Sequence, residues 1–364
     1  MNSGAPAGVA PPGAAAAGCP RGAAPLQSAA MTLAVLYALL QLLFLSGLGF
    51  FLSRLRGWPR ELFRAFNRFV ASVAMPLWFF TSITRTDPAS LRTSWIFPIV
   101  AVVTLLLGLG LSAPVVALCG FSRDDRRTGM GLSTFGNSGY LPLALMELLP
   151  LSLPAMSERF GFSVAPLYIG TYLMVYSPFL WTLGNWLVAG TGKPRLGELI
   201  TPPFVGIVIG LLVLGLGLQR WLFDQALPFY HVFRALERVG ATTTPLVMIA
   251  LGAMIGELAF EPGTRGGLIG MAAAVSVVRF VLFPAAFVGL YFLVLKPLAF
   301  SPTQVWTIFL LMHLPPATNF SVMASRAGRN EAHVSFTLLV TYLLYLAVLP
   351  LYLLLFLRLV GTGG

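Results

Sequence analysis

Apolar residues fall in long blocks separated by short polar stretches, and the block lengths suit membrane helices rather than strands or surface helices. A span needs about 20 consecutive apolar residues, and ten blocks meet that length: 31–52, 62–84, 94–119, 129–149, 164–189, 200–218, 240–258, 267–293, 304–325 and 333–357. Two of them are interrupted near the middle. Gly136-Asn137-Ser138-Gly139-Tyr140-Leu141-Pro142 divides the fourth block, and Leu314-Pro315-Pro316-Ala317-Thr318-Asn319 divides the ninth. Glycine and proline at that depth break the helical hydrogen-bond ladder, and irregular backbone inside a bilayer is tolerated only against protein or a water-lined cavity. A pair of such breaks, one in each half of a chain, points to the binding site of a transporter.

Hydrophobic residues make up 57% of the 364 positions and charged residues 10%, with a mean hydropathy of +0.85. A globular domain carries about 25% charged residues, so a soluble fold is excluded and an all-α, multi-pass protein of the plasma (inner) membrane is expected. The net charge of +11 does not indicate nucleic acid, because the basic residues lie mainly in loops between spans, where they set orientation. Thirteen of the 23 Lys and Arg belong to one side: Arg54, Arg56, Arg60, Arg64, Arg68, Arg123, Arg126, Arg127, Lys193, Arg195, Arg265, Arg326 and Arg329. Nine lie on the other side, which puts the first set in the cytoplasm and both termini outside. Cys19 and Cys119 then fall on opposite faces, so no internal disulfide is expected. Residues 1–30 contain 21 Ala, Gly or Pro, a composition that reads as a disordered tail, and Met31 is a second candidate start. No apolar stretch precedes Cys19 as a lipidated signal peptide requires.

The two halves repeat. Arg68–Leu77 (RFVASVAMPL) aligns with Glu237–Leu246 (ERVGATTTPL) when Pro76 is laid on Pro245, an offset of 245 − 76 = 169. That shift carries the starts of spans 1, 3 and 5 close to those of spans 6, 8 and 10. Thr171-Tyr172-Leu173 likewise matches Thr341-Tyr342-Leu343 at an offset of 170. Five spans precede the second copy, so it enters the membrane inverted, as in many secondary transporters. The expected organisation is the tail at 1–30, a five-helix repeat at 31–190 and its inverted copy at 191–364. The asparagines of the two breaks fit less well, being 319 − 137 = 182 residues apart.

A broken helix exposes amides at the start of its second half, which attract anions, and carbonyls at the end of its first half, which attract cations or protons. The second half of span 4 is expected to start near Pro142, whose missing amide hydrogen suits a first helical turn. Asn137, Ser138 and Gly139 are left to cap it or face a ligand. In span 9, Pro315 and Pro316 end the first half and Thr318 or Asn319 opens the second. Two carboxamides and two positive helix ends then converge near the midplane, a setting for a carboxylate. The plainer alternative is that each proline kinks a helix and each asparagine satisfies freed backbone groups.

All four Asp (Asp87, Asp124, Asp125, Asp224) fall in loops, leaving Glu147 and Glu257 as the carboxylates within or at the ends of spans. A cation antiporter built on paired carboxylates is therefore disfavoured. Arg279 in span 8 is costly in lipid and should face the bundle interior. It is a candidate to neutralise a substrate or balance Glu147, against a snorkelling or structurally paired arginine. His313 is a candidate proton relay, against a hydrogen-bonded packing residue. Pro76 and Pro245 mark expected kinks in spans 2 and 7, and Arg54, Arg56 and Arg60 read as an orientation and lipid-headgroup signal. No zinc-spaced Cys/His cluster, phosphate-binding Gly-Lys loop or nucleophile elbow occurs, so neither a cofactor nor a metal is expected.

The stretch 31–357 resembles the auxin efflux carrier family, which includes plant PIN and PIN-like carriers and many bacterial transporters. The resemblance is carried by NRFVASVAMPLWFF (67–80), TFGNSGYLPLAL (134–145), PPFVGIVIGLLVL (202–214), ERVGATTTPLVMIALGAMI (237–255) and LPPATNFSVMASRAG (314–328). It implies ten spans in two inverted five-helix repeats, with spans 1, 2, 6 and 7 as scaffold and the rest as a moving elevator domain, often in a homodimer. Broken spans 4 and 9 would cross at the substrate site, with Asn137, Pro142, Pro316 and Asn319 at the matching positions. The compact GYLPLAL departs from the GxxGLP-like spacing of many bacterial members. The long cytoplasmic loop of many plant members is absent, so plant auxin is not implied as substrate.

The expected function is secondary transport of a small organic anion, a mono- or dicarboxylate, through the lipid bilayer, with a proton or sodium as candidate coupling ion. A sodium-coupled symporter resembling the bile-acid family shares the broken-helix design and is distinguished by sodium-dependent uptake. A membrane sensor that binds ligand without flux is the alternative outside transport. A membrane enzyme is disfavoured by the lack of an acid/base or metal cluster.

Overall fold

The computed structural model describes residues 23–55, 59–152, 160, 163–190, 199–258 and 265–361. Cys19 and the basic residues Arg56, Lys193 and Arg195 lie outside them. Described elements are helical: α1 (Ala23–Arg54), α2 (60–84), α3 (Pro88–Leu118), α4 (Arg123–Thr134), α5 (Leu141–Ser152), α6 (165–189), α7 (Pro202–Gly215), α8 (Pro228–Gly256), α9 (Gly267–Leu295), α10 (Pro302–Met312), α11 (Asn319–Ala327) and α12 (Glu331–Gly361). Four of these, α3, α8, α9 and α12, are continuous and apolar over a length that crosses a bilayer. Helix α1 already starts at Ala23, ahead of the apolar block, where alanine-rich sequence favours the helix.

Helix α8 also starts early, at Pro228 rather than near 240, because its first turns are amphipathic and carry charges that the apolar block omits. Glu237 on those turns pairs with Arg85 and Arg234. Pro76 and Pro245 do interrupt α-helical bonding. A π-helical turn at Val70–Ala74 precedes Pro76, and α8 loosens at Thr242, three residues before Pro245. A further π-helical turn, Val278–Leu282, precedes Pro284 and contains Arg279. A proline amide cannot bond to the carbonyl four residues earlier, so the preceding turn widens to reach other donors.

Two helix pairs form close contacts through glycine. A Cβ placed at Gly206 of α7 would lie 2.3 Å from the Pro76 carbonyl oxygen of α2. One at Gly252 of α8 would lie 1.8 Å from the Ser46 carbonyl oxygen of α1. Each glycine is followed four residues later by another, Gly210 and Gly256, the small-residue spacing that lets membrane helices meet backbone to backbone. The pairs α1/α8 and α2/α7 are thereby locked, and the breaks between α4 and α5 and between α10 and α11 sit beside them.

Candidate functional site

Each break is six residues long, 135–140 and 313–318, and the two pair with each other in the interior. Gly136 and Pro316 form an isolated antiparallel bridge. The Asn137 amide donates to the Pro315 carbonyl at 2.9 Å, and the Ala317 amide donates to the Phe135 carbonyl at 2.9 Å. Buried backbone needs partners, and prolines have no amide to donate, so Pro315 can only accept. The bridge uses these two segments of opposite direction to satisfy each other.

This pairing satisfies backbone ahead of the two helix starts. The Gly136 amide is also taken, by the Tyr176 hydroxyl at 2.6 Å, and the Ser138 amide turns back to the Gly136 carbonyl at 2.8 Å. Four amides of the break segments, those of Gly136, Asn137, Ser138 and Ala317, are thus engaged. Helix α5 does start at Leu141 with Pro142 in its first turn, and α11 starts at Asn319 after Thr318, as the spacing predicts.

The two asparagines have different tasks. Asn137 is 4% exposed. Its Nδ2 donates to the Tyr342 hydroxyl at 2.6 Å, its Oδ1 accepts from the Tyr140 amide at 3.4 Å, and Tyr342 donates onward to the Pro316 carbonyl at 3.2 Å. Asn319 is half-buried, and among the described residues no hydrogen bond engages its carboxamide. The reason is register. Asn137 directly follows the bridging Gly136, whereas Asn319 lies three residues beyond the bridging Pro316. This register difference supplies two of the 182 − 169 = 13 residues of misfit in the repeat spacing, and the bridging residues are themselves 316 − 136 = 180 apart.

A cavity of about 180 Å³ opens beside the bridge. Gly136, Asn137, Ser138, Gly139, Ala317 and Asn319 line it from the breaks, Tyr176 from α6, Met75 from α2, and Pro202 and Phe204 from α7. Of the expected substrate contacts, Asn137, Ser138, Gly139 and Asn319 reach this wall. Pro142, Pro315, Pro316 and Thr318 do not.

Arg279 stands behind the wall. It is 1% exposed, and a Cβ at Gly136 would lie 3.2 Å from both Nη1 and Nη2 of its guanidinium. Gly136 and Tyr176, which both neighbour the guanidinium, also line the cavity. The guanidinium packs over Phe283 at 4.8 Å, and Nε and Nη2 lack hydrogen-bond partners among the described residues. No described carboxylate forms a salt bridge with it. Glu147, the suggested counter-charge, instead accepts from Trp78 Nε1 at 2.6 Å, joining α5 to α2. His313 caps α10 with Nδ1 2.7 Å from the Phe309 carbonyl, and its ring packs among Phe309, Phe287 and Tyr352, away from the cavity wall. Among the described residues, no three His, Cys, Asp or Glu side chains come together in a metal-binding group.

Tyr342 and Tyr176 are the site residues that sequence reasoning missed. Tyr342 had a signal in the Thr-Tyr-Leu match between the halves, used there only to measure the offset. Tyr176 had none.

A family model described as membrane transport protein matches residues 34–196 and again 185–353. PIN-LIKES 7 of Arabidopsis thaliana is 28% identical over 156 residues, covering 41% of this chain and 38% of the plant protein. A Rhizobium meliloti protein, provisionally named a malonate transporter, is 26% identical over 314 residues, covering 82% of this chain and 89% of that protein. An uncharacterized transporter of Methanocaldococcus jannaschii is 24% identical over 225 residues, covering 60% and 67% of the two chains.

Proposed function

Because this chain belongs to the membrane transport protein family, which takes in the auxin efflux and PIN-like carriers, we propose that it is a secondary carrier of small organic anions, mono- or dicarboxylates. The observation that carries this reading is a small cavity at the paired breaks with a carboxamide, Asn319, unengaged among the described residues, and a cation, Arg279, beside the lining residue Gly136 and without a carboxylate partner among the described residues. In a low-dielectric interior a lone positive charge favours an anion and penalises a cation. Ser138, Gly139 and Asn319 are the proposed direct contacts, with Asn137 holding the wall. The volume of about 180 Å³ suits a compact solute, and a carboxylate of the malonate class agrees with the name of the bacterial relative.

The proposed architecture has ten spans, in two inverted five-helix repeats at 31–190 and 191–364, with the broken spans crossing at the bridge. Support comes from the family match, which occurs twice along the chain. It also comes from Thr243, whose hydroxyl donates to the Ala74 carbonyl at 2.9 Å. These residues are 243 − 74 = 169 positions apart, the offset that lays Pro76 on Pro245. Equivalent residues touch where an axis relating two repeats passes between them.

Alternating access is proposed to occur by an elevator displacement of the breaks and their neighbours past the locked pairs α1/α8 and α2/α7. The cavity lies between those two groups of helices, and the Trp78–Glu147 bond is one link that such a movement would break. The plasma membrane, external termini, a homodimer and coupling to a proton or sodium complete the proposal.

The test is uptake of labelled malonate and monocarboxylates into proteoliposomes under imposed proton or sodium gradients. Saturable flux, competed by other carboxylates, is expected. Saturable binding without flux would replace the carrier with a sensor, and strict sodium dependence would move the assignment to the sodium-coupled symporter.

A further inference from the structure

A second cavity, of about 420 Å³, is larger than the one at the breaks and has different chemistry. It lies between α1, α8 and α12, against the start of α5. Its walls are carbon over almost their whole extent, with Leu42 and Gly47 of α1, Leu251 of α8, and Leu339 and Leu346 of α12 among them. Leu43 and Leu343 on its rim are exposed, so the groove opens sideways, where the bilayer lies. The single cation in its lining is Arg54, at the C-terminal end of α1.

The dimensions are those of one leaflet. Leu42 to Arg54 is 54 − 42 = 12 residues of helix, about 18 Å at 1.5 Å per residue. Half of a hydrocarbon core of about 30 Å is about 15 Å. An apolar channel of that length, ending deep beside Leu141 and Tyr342 and at its outer end beside a guanidinium, matches an acyl chain joined to a phosphate.

We propose that this groove binds one bilayer glycerophospholipid, with an acyl chain laid along Leu42, Leu251 and Leu339 and the phosphate on Arg54. The inner end of that chain bears on Tyr342, the residue whose hydroxyl ties Asn137 to Pro316. Lipid occupancy therefore steadies the break pair from behind. This assignment does not depend on the identity of the transported solute.

Native mass spectrometry of the purified full chain, incubated with phosphatidylglycerol or with diacylglycerol, tests it. Wild type is expected to retain one phosphatidylglycerol per protomer and to unfold at higher temperature with it bound. Gly47 has open space around its Cβ position, with no atom within 4 Å, so Gly47→Phe should fill the groove without disturbing the fold and lose that lipid. Gly47→Leu is a milder plug, and thermal unfolding of both variants reports folding. Arg54→Ala should weaken phosphatidylglycerol retention about tenfold, the size of one lost charge-assisted contact, while leaving diacylglycerol unaffected. Retention at the wild-type level in folded Gly47→Phe and Gly47→Leu would overturn the assignment, as would an Arg54→Ala variant that discriminates between the two lipids like wild type. A shift of folded Gly47→Phe from dimer to monomer with its lipid count unchanged would assign the groove to a second copy of the chain and also overturn it.

Discussion

The Asn137 carboxamide and the Tyr342 hydroxyl, 205 residues apart in the chain, meet at 2.6 Å, and the same hydroxyl reaches the Pro316 carbonyl at 3.2 Å. One phenol thus bonds to both breaks. Tyr342→Phe removes the partner of a buried amide and a buried carbonyl, which costs about 1–3 kcal/mol for groups left unsatisfied. The neighbouring Tyr345 hydroxyl is buried without a partner among the described residues, so Tyr345→Phe should be neutral or mildly stabilising. Thermal unfolding of the two purified variants is expected to separate them in that order. Equal melting temperatures would contradict the bracing role.

Asn137 and Asn319 should respond differently to truncation. Asn137→Ala is expected to lower stability by about 1–3 kcal/mol, because it orphans Tyr342 and the Tyr140 amide. Asn319→Ala leaves the fold intact and reduces carboxylate affinity about tenfold or more. Paired measurements of melting temperature and ligand affinity distinguish the two, and unchanged affinity in Asn319→Ala would remove it from the site.

At Gly136, a methyl group would meet Leu314 Cβ at 3.0 Å and the Arg279 guanidinium at 3.2 Å. Gly136→Ala should therefore push the bridge apart, at an overpacking cost of about 1–3 kcal/mol, and abolish flux. Gly139→Ala meets only the tip of Met75, at 3.7 Å, and is expected to fold normally. Flux and thermal unfolding together check this contrast, and a fully active Gly136→Ala protein would rule out the tight fit.

Arg279 is predicted to set stability against selectivity. Replacing a buried, uncompensated charge with an apolar side chain is often neutral or stabilising, so Arg279→Met should melt at or above the wild-type temperature. Its affinity for carboxylates should fall about tenfold, roughly 1.4 kcal/mol, with little change for an uncharged amide analogue. Binding titrations with the acid and its amide give the answer. An unaltered preference for the acid would exclude the cation from selectivity.

Much of the architecture was legible because bilayer chemistry writes it into local sequence. Long apolar blocks, the midway glycines and prolines and the 169-residue echo between the halves are one-dimensional patterns. The structure shows both breaks within the intervals they mark, with α5 and α11 opening beside Pro142 and at Asn319. Partner choice was not legible. Arg279 read as a candidate to neutralise a substrate or to balance Glu147, but Glu147 bonds to Trp78 and Arg279 faces Gly136, relations that depend on which helices come side by side. His313 likewise could be weighed only once its ring was seen among Phe309, Phe287 and Tyr352.

The sequence by itself determined that the chain lives in a membrane, that its helices break at two positions, and that polar side chains accompany those breaks. Each follows from the energy of single residues in hydrocarbon, which does not depend on neighbours far along the chain. Only the tertiary structure decided that the breaks satisfy one another, that Asn137 is consumed in doing so while Asn319 has no partner among the described residues, and that Arg279 lies against Gly136 of the cavity lining. Those outcomes turn on hydrogen-bond register between segments about 180 residues apart, and a shift of two or three positions exchanges a structural asparagine for an available one.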